Sequence, residues 1–298
     1  MAKLAAGTGR ICLSLLDSNA VFSELSAAYP LKLLSPRTSP PNVAVAYVLS
    51  YGGGLVGGDR VSLDVSVERD AILVLLSQGS TKVFKVRPGA RLAQVPTDTP
   101  SPTTVQNFTF TVADRSCVFQ LPDPVTCFRA ASYSQTQTFH LAPAASLIVL
   151  DWVTSGRKTL GEDWLFARYH SVNEVFVAGR RVARDAMLLE EDAADARVPA
   201  RTLAQRLAPY SCYAMLLLFG PATRAVVEDL EARYAAITVY KRGAPDGLLW
   251  SFSVVDGGGG AVVRVAGKET EAVKHWLKGA LRKLEAIVGP DVYQRTFV

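Results

Sequence analysis

The chain has 298 residues, 49% of them hydrophobic, with 32 Lys and Arg against 27 Asp and Glu for a net charge of +5. That is enough apolar content to build a core without covalent staples. The basic residues are scattered and no basic stripe alternates with aromatics, so no nucleic-acid platform is expected. No apolar run approaches the roughly twenty residues of a bilayer-spanning helix, so no membrane association is expected.

The N-terminal stretch MAKLAAGTGRICLSLLD carries one early lysine and an apolar run broken by Gly7, Gly9 and Arg10, a poor signal peptide. Cys12, Cys117, Cys127 and Cys212 form no C-x-x-C pair and have no histidine at zinc-ligand spacing. They are expected to be buried, reduced hydrophobes in a cytoplasmic protein. Val43 to Leu49, in a β segment expected over Val43 to Tyr51, reads as a buried strand and is followed by SYGGGLVGGDR, whose Gly52, Gly54 and Gly57 fit G-x-G-x-x-G. A dinucleotide site needs a helix to start at those glycines. Val61, Leu63, Val65 and Val67 instead alternate with polar residues, so the glycines join two strands.

Further β segments are expected at Ala71 to Ser77, Thr104 to Val112, Ser116 to Leu121, Ser132 to Leu141, Leu147 to Val153 and Trp164 to Val177, with turns such as Arg87-Pro88-Gly89 between them. Helical spacing appears late. Pro221 to Ala236 places Val226, Val227, Leu230 and Tyr234 on one stripe, and Glu269 to Val288 does the same with Val273, Trp276, Leu277, Leu281 and Leu284. Between them, Ala236 to Tyr240, Leu248 to Val254 and Ala261 to Val265 read as strands, with Gly257 to Gly260 as a hairpin loop. The expected fold is mostly β, a largely antiparallel body with two helices from the C-terminal half packed on it. Residues 1–298 read as one domain, with a possible flexible linker at 190–206. Lys278, Arg282 and Lys283 cluster on the last helix and read as a solvated face.

Catalytic signatures are sparse. SQGSTKVFK (Ser77 to Lys85) lacks the spacing of a phosphate-binding loop, no G-x-S-x-G elbow is present, and His140, His170 and His275 are the only histidines. With neither a His-rich tract nor a Cys pair, any metal contact must be made by hard oxygen ligands and be weak.

GGGLVGGDR, then about twenty residues of alternating strand, then SQGSTKVFK, resembles the urease accessory protein UreD (UreH) family. LPDPVTCFRAASYSQTQTFHL (Leu121 to Leu141), DWVTSGRKTLGEDWLF (Asp151 to Phe166) and MLLLFGP (Met215 to Pro221) extend the resemblance in order over most of the chain. The departures are a Pro/Thr-rich loop at Pro96 to Thr104 and an acidic-to-basic segment at Glu190 to Arg206. The resemblance implies an elongated, predominantly β structure with two helices and no catalytic activity of its own. It also implies an internal water-filled tunnel through which Ni²⁺ passes in transit, with no permanently bound cofactor. The implied partners are urease apoprotein and a UreF-type accessory protein, with a UreG-type GTPase recruited through the latter.

Four residues on the matching segments are candidates for transient metal contact: Asp59, Thr81, Asp123 and Glu162. Each carboxylate also has a structural reading: Asp59 capping the glycine turn or pairing with Arg60, Asp123 in an Asx-turn, Glu162 paired with Arg157. Lys82 and Arg157 would repel a cation if they pointed inward, so ion pairs or structural hydrogen bonds are expected of them. The alternative is a β-rich hydrolase using Asp59 and Glu162 as a carboxylate pair, roughly 5 to 10 Å apart in an open cleft.

Overall fold

Strand follows strand from the N-terminus in the computed structural model, which describes residues 4–37, 40–85, 103–191, 201–240 and 247–297. β1 (Thr8–Leu16), β2 (Asn19–Ala27), β3 (Leu31–Leu34) and β4 (Val43–Ser50) lead to the glycine segment. β5 (Arg60–Val67), β6 (Ile72–Leu76), β7 (Thr81–Val83), β8 (Thr104–Val112), β9 (Cys117–Gln120) and β10 (Val125–Cys127) come next. β11 (Ser132–Leu141), β12 (Ser146–Thr154), β13 (Arg168–Val177) and β14 (Arg180–Glu190) complete the first two thirds. Then come α1 (Leu203–Leu207), β15 (Cys212–Phe219), α2 (Arg224–Tyr240), β16 (Leu248–Val255) and β17 (Gly260–Gly267). α3 (Thr270–Ala280), α4 (Glu285–Val288) and α5 (Pro290–Arg295) close the chain. All eight strands expected in the first 180 residues are present; the last starts at Arg168 rather than Trp164.

The mostly β class and the late helices are as expected, but the pairing is not largely antiparallel. A seven-stranded sheet runs β14-β13-β11-β8-β5-β1-β2, and a ten-stranded sheet runs β16-β17-β15-β12-β9-β6-β4-β3, with β10 beside β12 and β7 beside β10. Their interiors are parallel: β1 to β5, β5 to β8, β8 to β11 and β11 to β13 in one, β4 to β6, β6 to β9 and β9 to β12 in the other. Antiparallel pairs lie toward the margins. The cause is connectivity. From β4 to β13 the chain passes back and forth between the sheets, so each sheet receives its strands one pass at a time and all in the same direction.

This winding is visible in the burial of each strand. β5, β8 and β11 alternate between buried and exposed positions because one face of their sheet is wet. β6 and β15 are buried almost throughout, as strands covered on both faces must be. The first core fills the space between the sheets, with Leu63, Phe110, Phe139, Leu73, Leu147 and Leu217 at its centre. The second lies on the opposite face of the ten-stranded sheet, where Val226 and Leu230 of α2 and Val273 and Leu277 of α3 meet Val74, Phe119 and Leu216. Each fully buried Leu, Ile or Phe contributes about 1.5–3 kcal/mol.

The strand expected at Ala236 to Tyr240 is instead the last part of α2. Ile237 stands one turn after Tyr234 and packs on the second core, extending the stripe of Val226, Leu230 and Tyr234. The helix expected from Glu269 to Val288 is broken after Ala280, resuming through a 3-10 turn at Arg282–Leu284 into α4. Lys278 donates to Gln294 at 3.0 Å, while Arg282 and Lys283 are exposed. Residues 192–200 of the Glu190 to Arg206 segment, the turn at Arg87-Pro88-Gly89 and nearly all of the Pro96 to Thr104 loop lie outside the described residues.

The glycine segment is a docking turn between strands. Gly52 and Gly53 adopt φ of 76° and 75°, open to glycine at no steric cost. A Cβ on Gly54 would stand 2.6 Å from the Phe84 ring and 2.7 Å from the Lys82 carbonyl. That approach lets Leu55 bond in both directions, its N–H to Lys82 O and its O from the Phe84 N–H, each at 2.8 Å. The two glycine-containing sequence motifs therefore hold each other.

Candidate functional site

The space between the sheets is apolar except for one polar layer. Inward positions of β11 carry Tyr133, Gln135, Gln137, Phe139 and Leu141. Parallel register sets Gln106 of β8 and Ser171 of β13 beside Gln135, and Asn173 of β13 beside Gln137. Gln106 Nε2 donates to Gln135 Oε1 at 3.1 Å, Gln135 Nε2 to Ser171 Oγ at 3.1 Å, and Gln137 Nε2 to Asn173 Oδ1 at 2.8 Å. The facing sheet supplies Gln120 of β9, donating to Gln137 Oε1, and Asp151 of β12.

Asp151 is the node of this layer. Its Oδ2 accepts from Asn173 Nδ2 at 2.7 Å and from Ser171 Oγ; its Oδ1 accepts from Tyr169 at 3.2 Å and Gln135 at 3.4 Å. Burial pushes its carboxyl above the usual carboxylate range, and the bonds from Ser171, Asn173 and Tyr169 oppose that rise. No ion pair to Asp151 exists among the described residues, and the charge that acts on it is the like charge of Asp185.

Three hollows lie at or near this layer. An inner cavity of about 50 Å³ is lined by Gln106, Gln120, Gln135, Gln137 and Asp151. An outer basin of about 560 Å³, walled by Leu34, Tyr47, Leu121 and Arg295, shares Leu76, Ser77 and Asp123 with it. A smaller hollow of about 30 Å³ beneath Leu31, Leu49 and Leu55 shares Val48, Thr81 and Gln106 with it. The inner cavity shares wall residues with each of the other two.

Two of the four sequence-derived candidates stand at those common walls. Asp123 lies between basin and inner cavity, its Oδ2 accepting from the Gly79 N–H at 2.9 Å and its own N–H donating to Ser77 Oγ at 2.8 Å. Burial raises its pKa, and the Gly79 bond opposes the rise. Thr81 lies between the inner cavity and the small hollow, in register with Val125. Asp59 accepts from the Val56 N–H at 2.7 Å and so closes the turn after Leu55, a wall residue of the small hollow. Glu162 lines none of the three. Its carboxylate takes both bonds of the Arg157 guanidinium, at 2.8 and 2.5 Å, and one from the Arg129 N–H at 3.4 Å. The guanidinium lies 4.0 Å from the Phe128 ring centroid and holds the Glu162 carboxyl below its usual range. Asp59 and Glu162 thus serve separate local structures, which does not favour the hydrolase alternative.

The thiols are unpaired. Burial pushes Cys117 up to about 11 and Cys212 up to about 12, which keeps them protonated and poor ligands. Among the described residues no three His, Cys, Asp or Glu side chains gather as a metal-binding group. No helix among them is long and apolar enough to cross a membrane.

The family model described as UreD urease accessory protein matches residues 5–296. The chain belongs to that family. It is 39% identical to urease accessory protein 4 of Cryptococcus neoformans, over 98% of this chain and 95% of the relative. It is 35% identical to urease accessory protein UreD of Sorangium cellulosum (97% and 84%) and 28% identical to urease accessory protein D of Arabidopsis thaliana (96% and 99%). The polar layer thus belongs to a urease accessory protein.

Gln106, Gln120, Gln135, Gln137 and Asp151 are not among the residues singled out from the sequence. The signal exists for three of them: Gln135 and Gln137 share the alternating face of Tyr133 and Phe139, and Asp151 is the one charge in SLIVLDWVT.

Proposed function

We propose that this UreD-family protein is a scaffold and conduit that passes Ni²⁺ toward the dinickel site of urease apoprotein. The observation that carries this reading is the series of neighbouring hollows that share wall residues, with Asp123, Asp151 and Thr81 among their linings. The cargo is a hard-to-borderline divalent cation that needs oxygen ligands it can later leave. At about 10–15 Å³ per water, the inner cavity holds about three to five waters. A six-coordinate aqua ion exceeds that, so the passing ion exchanges part of its shell for amide and carboxylate oxygens. Asp123 attracts it at the basin, and Thr81 offers a hydroxyl beyond the inner cavity.

In this reading a UreF-type protein docks on the chain and recruits a UreG-type GTPase. GTP hydrolysis belongs to that GTPase, consistent with the lack of a phosphate-binding loop here. The test is urease activation with the other accessory proteins present, with and without this chain, while the nickel content of the urease is measured. Nickel loading that depends on the chain is the expected result. Equal loading without it overturns the proposal.

A further inference from the structure

The loops that follow three parallel strands of the ten-stranded sheet form one face of the molecule. β10 lies between β7 and β12 and runs parallel to both. The segments after these strands are bonded to one another in turn. The Phe128 N–H donates to Val83 O at 3.0 Å, the Arg129 N–H to Glu162 Oε2 at 3.4 Å, and the Ala130 N–H to Leu165 O at 2.9 Å. None of the residues after those strands, 84–85, 128–130 and 155–165, lines the hollows described above.

Two leucines stand out on this face, Leu160 at 64% exposure and Leu165 at 38%. A lone exposed leucine needs no explanation, but these two share a loop whose backbone is held in place at a cost. Trp164, buried, has a φ of 56°, a left-handed conformation that a bulky side chain rarely adopts. Its N–H donates to Ser155 O at 2.7 Å and its indole Nε1 to Tyr210 O at 3.2 Å. Glu162 is tied to Arg157, and a Cβ on Gly156 would stand 3.0 Å from the Glu162 carbonyl oxygen. The leucines are thus presented on a fixed frame, which loses little conformational freedom when a partner binds.

The charge around them is positive in excess. Lys82, Lys85 and Arg129 are exposed and form no ion pair among the described residues. Arg157 is matched by Glu162 and Lys158 by Glu269, which leaves Asp163 as the one exposed acid of the loop. Phe84 and Phe128, half-buried and 5.1 Å apart edge to face, lie among these cations, with the Arg157 guanidinium over the Phe128 ring. A second copy of the chain would bring like charges together, and a nucleic acid would leave the leucines unmatched. An acidic protein surface carrying an aliphatic side chain satisfies both features.

We infer that this face docks an acidic segment of a partner protein, with Leu160 and Leu165 as apolar anchors and Lys85 and Arg129 as the charges that orient it. The inference rests on the scaffold reading for the choice of probes, urease apoprotein and the UreF-type protein, but not for the face itself.

The full chain is titrated with each probe by isothermal calorimetry at low and at high salt. For one of the two, Leu160→Asp should weaken binding at least tenfold, and Arg129→Gln about fivefold with a shallower salt dependence. Leu16→Asp is the control. Leu16 is as exposed, at 64%, but β1 runs in the direction of β11, which starts at this face and leads away from it. That variant should bind like the natural chain, and all three should keep the natural unfolding temperature, since each side chain is exposed. Unchanged affinity for both probes in the two face variants overturns the inference, as does an equal loss in Leu16→Asp or failure of the natural chain to bind either probe. If the face variants lose binding as expected while urease acquires nickel equally well without the chain, the conduit reading falls and the docking face stands. If loading depends on the chain but the face variants bind and load urease as the natural chain does, the reverse follows.

Discussion

Replacing Glu162 by alanine separates a metal-contacting carboxylate from a structural one. The Glu162 side chain is 8% exposed and that of Arg157 40% exposed. A charge-assisted pair shielded from water contributes about 1.5–3 kcal/mol, and the exposure of the arginine brings this to about 1–2 kcal/mol. Unfolding entropy of about 2.1 cal/mol/K per residue over this length puts the loss at about 2–3 °C in unfolding temperature. The folded carboxyl is depressed below the ordinary glutamate value of 4.5. The contribution is therefore complete above that value and is lost as pH falls through the folded one. Differential scanning calorimetry of both proteins from neutral to acid pH should show a constant gap that closes in acid. An unchanged unfolding temperature together with lost urease activation would refute the structural assignment and return Glu162 to the cargo.

Gly54→Ala should destabilise the chain by about 1–3 kcal/mol, read as a lower denaturant midpoint, because the added methyl meets the Lys82 carbonyl and the Phe84 ring. Gln137→Leu orphans the Gln120 donor and the Asn173 acceptor and should cost about 3 kcal/mol, about 5 °C by calorimetry. Asp123→Asn tests the basin wall. Since burial raises the folded pKa of Asp123 above its ordinary 3.8, the natural chain loses stability as pH rises from there through the folded value. The asparagine variant should lack that loss, and nickel loading of urease should fall if the basin feeds the conduit.

The strands of the first two thirds were legible because period two survives in any half-buried strand. Their direction was not, because alternation along one strand carries no information about which strand lies beside it. A sharper clue lies in the contrast between strands such as RVSLDVSV, wet on one face, and ILVLL, covered on both. In the candidate site, Asp123 and Thr81 stood out through the family motifs. Gln120 did not, since its meaning comes from strands up to 53 residues away that bring Gln137 and Asn173 against it. Glu162 and Arg157 are five residues apart in the chain, and that local pairing was readable without any fold.

The back-and-forth winding also sets the order in which the protein can be completed during synthesis. The outer face of the ten-stranded sheet, with Val74, Phe119, Leu150 and Leu216, is covered by α2, α3 and the short helices that follow α3. α3 begins at Thr270, so a ribosome-bound chain that has already made β15 still presents a wide bare apolar surface. Parallel neighbours far apart in sequence close slowly, which lengthens that exposure. Chains ending before Thr270 should accumulate as aggregates, because the last tenth of the sequence supplies the rest of the cover for that face.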